Sequence, residues 1–318
     1  MGNINLFKPF HIIIGFIILI FSEIMMFKGI KPFSTLFYPF AWWSYILIMD
    51  GIIYKIKNNS LIMNRRKEFL LLIPWSIFIW LIFELINIYM KNWYYINLPQ
   101  EKGIRWFGYG ISYATVLPGI FLTAEFLDSI GLFKRIRIKR IVVNRSLYIL
   151  FIFIGVISLI GPIILPKYFF PFIWVSFIFL LEPVNHKFNA KSILKDLENG
   201  DLRRIFIFFT SGIICGILWE FWNFWAGSKW VYNIPFFNRW KIFEMPLLGY
   251  LGFLPFALEC YIMYNSICLL RRNRGWEEDN YLKGRDKPIF IVISLIFISI
   301  FSFIVFDLID KNSTYGLF

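Results

Sequence analysis

Apolar residues in this chain fall in long runs with no polar stripe, separated by short charged or tryptophan-rich segments. Such runs can be placed near 9–27, 36–54, 69–90, 107–130, 147–165, 169–185, 205–225, 245–270 and 288–309. Each has about the 17 to 25 residues with which a helix crosses a bilayer, and a helix that is apolar all round belongs in a core or in lipid. The pattern predicts an all-α integral membrane protein of about nine transmembrane helices. Around Gly161, Pro162 and Pro166 it allows either two spans or one broken span.

The pattern also recurs. FYPFAWWSYILIMD (Phe37 to Asp50) matches FFPFIWVSFIFLLE (Phe169 to Glu182), with Pro39 on Pro171, Trp42 on Trp174, Ser44 on Ser176 and Asp50 on Glu182. Glu84 to Asn87 matches Glu220 to Asn223, Asn92 to Pro99 matches Lys229 to Pro235, and Glu125 falls on Glu259. The offset drifts only in loops, where insertions are tolerated. These matches predict a tandem, parallel duplication of a four-helix unit plus one C-terminal helix. The units are 1–130 and 146–270, joined by a basic linker at 131–145, with a charged loop at 271–287 and the last helix in 288–318. With an even number of spans in each copy, both run the same way, related by an axis along the membrane normal.

Composition fixes the solvent. A chain that is 58% hydrophobic and 17% charged, with mean hydropathy +0.64, excludes a water-soluble domain. Of its 33 Lys and Arg, 23 fall at Lys8 and in the segments 55–68, 134–145, 187–204 and 271–287, all on one face under this span plan. The excess predicts a cytoplasmic N-terminus, a C-terminus outside, and a place in the plasma (inner) membrane. The net charge of +13 then speaks for anionic lipid headgroups as partners rather than nucleic acid. KRIRIKR (Lys134 to Arg140), which alternates charge with Ile, fits an interfacial segment.

Several chemistries lack their residues. No small-residue cleavage site closes the first run, which predicts a retained span. Cys215, Cys260 and Cys268 lie in apolar runs without CxxC spacing, and His11 and His186 are the only histidines, so no metal centre is expected. Neither a P-loop nor a GxGxxG fingerprint is present, and no cofactor is implied.

The informative residues are carboxyls inside the predicted spans, each costly unless paired, protonated or facing water. Glu84 with Asn87, and Glu220 with Asn223, share a helical face. They either bond across helices or line a substrate cavity. Glu125 and Glu259 lie deeper, where a carboxyl stays neutral unless a cation adjoins it, as a structural donor or a general acid. Asp50 and Glu182 are expected as snorkelling partners of Lys55 and Lys187. FEMPLLGYLGFLPF (Phe243 to Phe256) adds Glu244 to the second copy where the first has Gly110, with Pro246 opening the helix. The catalytic candidates are therefore Glu220, Glu244 and Glu259. The substrate-binding candidates are Asn223, Trp219, Trp222, Trp230 and Tyr232, with Glu84 and Asn87 of the first copy. The aromatic residues form either a headgroup-level belt or a wall that stabilises positive charge.

In its order of Glu220, Trp230, Tyr232, Glu244 and Pro246, partly repeated by Glu84, Trp93 and Tyr95, the chain resembles lycopene cyclase domain proteins. Their helix-opening motif places its glutamates after the proline, whereas Glu244 precedes Pro246 here. Through WEFWN, KWVY and FEMPLLGY the chain also resembles a set of bacterial polytopic membrane proteins, which implies a family and no activity. The first resemblance implies a cofactor-independent enzyme that protonates an isoprenoid or other apolar lipid, as a cyclase or isomerase. A transporter or lipid-translocating protein with a parallel-repeat core, and a non-catalytic membrane scaffold, remain open beside it. The oligomeric state is not legible.

Overall fold

The computed structural model describes residues 9–236, 240–272, 275–277 and 288–313. Lys8, Arg239, most of the basic loop 271–287 and the last five residues lie outside the described residues. The chain forms helices α1 (His11–Phe27), α2 (Phe37–Lys57), α3 (Arg66–Met90), α4 (Lys102–Tyr113), α5 (Val116–Ser129) and α6 (Arg145–Ile164). These are followed by α7 (Pro166–Phe169), α8 (Ile173–Lys187), α9 (Ile193–Glu198), α10 (Arg203–Trp225), α11 (Phe253–Leu270) and α12 (Pro288–Lys311).

Among the described residues, seven helices are long and apolar enough to cross a membrane. They are α3, α4 continued by α5, α6, α7 continued by α8, α10, α11 with the turns before it, and α12. Of the other two predicted spans, α1 is shorter, at 17 residues. In α2, Trp42, Trp43, Tyr45 and Asp50 dilute the apolar character. The break between α4 and α5 has a local cause, since Pro118 has no N–H to offer Ala114 four residues earlier and its ring crowds that carbonyl.

Packing follows the same plan in the two halves. Helix α1 lies on α2 as α6 lies on α8, α2 meets α5 as α8 meets α11, and α3 meets α5 as α10 meets α11. The halves join where α5 packs on α10 and α3 on α11. The ninth predicted span, α12, docks on α3, and Asp310 anchors it by accepting from Arg105 (2.7 and 2.8 Å), Trp106 and Tyr109. Ile and Phe are exposed along α1, α6 and α12.

The α10–α11 contact depends on Gly212 and Gly216, four residues apart on one helical face. A methyl at Gly212 would meet the Phe253 carbonyl, and one at Gly216 the Phe253 ring. This small-residue spacing lets the backbones approach where apolar lipid offers helices no hydrophobic driving force. Gly212→Val should therefore cost roughly 1–3 kcal/mol by overpacking. Thermal unfolding in detergent would register it, and an unchanged midpoint would mean that α10 and α11 do not approach this closely.

Asp50 and Glu182 depart from expectation. Both are buried, and neither reaches its nearby lysine. Asp50 accepts from the Ser60 hydroxyl and the Ile62 N–H (both 2.8 Å), and Glu182 from the Ser192 hydroxyl and the Leu194 N–H (2.9 Å). The same two serines accept from the N–H groups of Met63 and Lys195. Each acid thus ties the end of its helix to the turn that starts the next segment. His11 adds a further bond to Asp50 at 3.0 Å.

The fold is mostly helical, and among the described residues two short antiparallel ribbons stand beside the helices. Strand β1 (Trp93–Ile96) pairs with β2 (Lys229–Tyr232), and β3 (Lys241–Ile242) with β4 (Met245–Pro246). In the first ribbon Trp93 faces Tyr232 and Tyr95 faces Trp230. Alternation along β1 turns Trp93 and Tyr95 inward and leaves Tyr94 exposed. Pro246 lies in β4 and directly precedes the 3-10 turns Leu247–Gly252 that lead into α11.

Candidate active site

Each of α3 and α10 ends in an amide that clamps the strand after it. The Asn223 side chain donates to the Trp230 carbonyl and accepts from the Trp230 N–H, both at 2.9 Å. Asn87 donates to the Trp93 carbonyl (2.8 Å) and accepts from the N–H groups of Asn92 (2.9 Å) and Trp93 (3.2 Å). Both amides are thereby committed to backbone, and they position the ribbon. Neither bonds the Glu beside it. Asn223→Ala strands two backbone groups, a loss of roughly 1–3 kcal/mol. The Trp230 amide should then exchange its hydrogen about 10- to 100-fold faster, which mass spectrometry of the exchanged protein would detect.

One turn earlier on each helix stands the Glu, and the clamped strand returns a tyrosine to it. The Tyr232 hydroxyl donates to Glu220 Oε1 at 2.7 Å and itself accepts from Trp230 Nε1 at 2.8 Å. In the first half the Tyr95 hydroxyl donates to Glu84 and accepts from the Tyr113 hydroxyl at 3.0 Å. Burial, with the neighbouring carboxyl, pushes both phenols well above their ordinary range, which keeps them protonated as donors.

The two carboxyls differ in what remains to them. Glu84 also takes the indole N–H groups of Trp80 (2.9 Å) and Trp93 (3.2 and 3.3 Å), so both of its oxygens are engaged. Glu220 is fully buried, yet its Oε2 has no hydrogen-bond partner among the described residues. Buried polar atoms without a partner call for an explanation, and although Oε2 of Glu125, Glu182 and Glu259 is unpartnered too, Glu220 differs from these three in where it stands.

Glu220 lines a partly open cavity of about 160 Å³ that both halves enclose. The β1–β2 ribbon contributes Trp93, Tyr95, Trp230 and Tyr232, and the helices contribute Tyr38, Trp80, Trp174, Trp219 and Phe256. Phe256 lies at the middle of the aromatic wall, with ring centroids 5.8 Å from Trp80, 5.4 Å from Trp174 and 5.7 Å from Trp219. Cations at the cavity are already paired: Lys229 with Glu244 at 2.7 Å, and Arg105 with Asp310.

The residues singled out from sequence therefore separate. Glu220, Trp219, Trp230 and Tyr232 meet at the cavity. Glu84 stands behind Tyr95, and Trp222 packs edge-on against Trp42 at 5.1 Å, away from the lining. Glu244 sits in the turn between β3 and β4 as the counter-ion of Lys229. Glu259 is buried against α8, accepting from the Phe177 N–H at 2.7 Å and the Ser176 hydroxyl at 3.4 Å, and does not line the cavity. Glu125, aligned with it, is instead gripped by Arg65 and Lys57. Sequence reading missed Tyr38, Tyr113, Trp174 and Phe256 as site residues. Tyr38 and Trp174 stood within the repeated strings, whereas nothing in the sequence marked Phe256 apart from other apolar residues. Comparison of the chain with protein-family models, with curated proteins and with solved structures finds no match.

Proposed function

We propose that this is a duplicated multi-pass membrane protein whose aromatic cavity binds an apolar lipid, isoprenoid in type, and that Glu220 protonates it. The observation that carries this reading is the free, buried Oε2 of Glu220 on a wall of indole and phenol rings. In its protonated form Glu220 gives its proton to one carbon of an alkene. A C–H bond forms from the π pair, and the adjacent carbon becomes cationic. Ring faces lower the energy of that cation. A proton lost from a neighbouring carbon returns to the carboxylate, so cyclisation or isomerisation needs no cofactor. Tyr232, fixed by Trp230, holds Glu220 in place.

The duplication is supported by the matched clamps at Asn87 and Asn223, the matched acid–tyrosine pairs and the matched turns at Asp50 and Glu182. Trp93 opposite Tyr232 and Tyr95 opposite Trp230 is the pairing that a two-fold axis through the ribbon would produce. With the basic loops cytoplasmic, the cavity belongs to the outer half of the membrane.

What weighs against a transport path is the other end of the bundle. There, roughly 24 Å from Glu84 along α3 at 1.5 Å per residue, the buried pairs Arg65–Glu125 and Glu68–Arg271 fill the interior. Proteoliposomes fed an extract of the host's apolar lipids would separate the readings: conversion without net movement across the bilayer supports the enzyme, and flux without conversion contradicts it.

A further inference from the structure

Three side chains that can carry charge near neutral pH line the cavity: Arg105, Lys229 and Glu220. Arg105 is held by Asp310 and by the carbonyls of Pro99 and Gln100, and Lys229 by Glu244. Glu220 faces no cation among the described residues, and its buried Oε2 is unpartnered. An anionic ligand would have to break an ion pair to gain a counter-charge, whereas a cationic one gains its counter-charge from Glu220 once that carboxyl has given up its proton.

The surroundings select the kind of cation. A metal ion shedding its water needs six or more oxygen ligands if it is calcium-like, and this wall offers one free carboxylate oxygen among rings. An organic ammonium ion is weakly hydrated and is drawn to aromatic faces. Around Glu220 those faces belong to Tyr38, Trp219, Trp230 and Tyr232, with Tyr38 and Trp230 meeting edge-on at 5.1 Å.

We propose that the cavity is a binding site for an organic ammonium group, with Glu220 as its counter-ion and the rings of Tyr38, Trp219 and Trp230 as its cage. The inference goes beyond the proposed reaction: it rests on the geometry and charge of the cavity and holds with or without turnover. The ammonium group could come from a free small cation or from the head of a membrane amphiphile.

Calorimetric titration of the purified full chain in maltoside micelles tests it, with choline, its neutral isostere 3,3-dimethylbutanol, and decyltrimethylammonium as probes. Choline should bind about tenfold or more tighter than the isostere, and Glu220→Gln should bring the two to within about twofold. Rim charges should act in opposite directions. Lys229→Gln, which leaves Glu244 unneutralised, should tighten choline about threefold, and Glu244→Gln should weaken it by about as much. These two variants keep the test decisive should Glu220→Gln fail to fold. A decyl chain that adds about tenfold or more assigns an amphiphile's head, and one that adds nothing assigns a free cation. Equal binding of choline and the isostere to the wild type, or rim variants that shift choline in the same direction, overturns the proposal.

Discussion

Glu220→Gln should lower turnover of the lipid substrate about 100-fold or more, the range expected when a general acid is removed, while leaving its binding within a few-fold. Gln keeps the volume of the side chain and an oxygen to accept from Tyr232 Oη, now 2.7 Å from Glu220 Oε1. What it lacks is a proton to give. A structural role would show the opposite split, with less folded protein and ordinary turnover per molecule. Tyr232→Phe should have a smaller effect of about tenfold, because it removes one bond that positions the acid and leaves the acid itself. Initial rates per folded molecule in proteoliposomes measure both. Wild-type turnover in Glu220→Gln would remove the acid role from this residue.

The largest stability effect should come from the far end of the bundle. Glu68 and Arg271 form an ion pair at 2.7 Å with side chains 0% and 1% exposed, tying the start of α3 to the end of α11. Glu68→Gln leaves the guanidinium buried beside a neutral amide, and losing one partner of a buried pair costs about 3–5 kcal/mol. Replacing both residues by Leu should recover much of that loss, since two apolar groups need no compensation. Thermal unfolding in detergent would resolve the difference. A midpoint unmoved by Glu68→Gln would mean that water reaches this pair.

Much of the helical plan was legible because lipid-crossing helices are long and apolar, a signal that does not depend on partners. The repeated strings also located Glu84, Asn87, Glu220 and Asn223 at corresponding helix ends. Their bonding was not legible. Strand β1 has four residues, too few for a period-2 pattern to stand out, and its partner lies more than a hundred residues downstream. Without the ribbon, nothing shows that Tyr232 turns back onto Glu220, or that the Asn side chains are spent on strand backbone.

Charge misled in a different way. Arg65 and Arg271 enter the tally of loop cations that sets orientation, yet both are buried, Arg65 against Glu125 and the Trp276 carbonyl, and Arg271 against Glu68. A basic residue beside an apolar run reads as a topology determinant whether its partner is a headgroup or a carboxylate on another helix. Glu244 stood out in the sequence because Gly110 occupies the matching position, and its partner, Lys229 at the cavity, was not legible there.

If Glu220 acts on an apolar lipid held in the aromatic cavity, the lipid will show in mass spectrometry of apolar extracts from cells lacking the gene, complemented with wild type, and complemented with Glu220→Gln at matched abundance. That lipid should accumulate in the deletion, be consumed again with wild type, and persist with Glu220→Gln. A lipid profile that is the same in all three strains would rule out this role for Glu220.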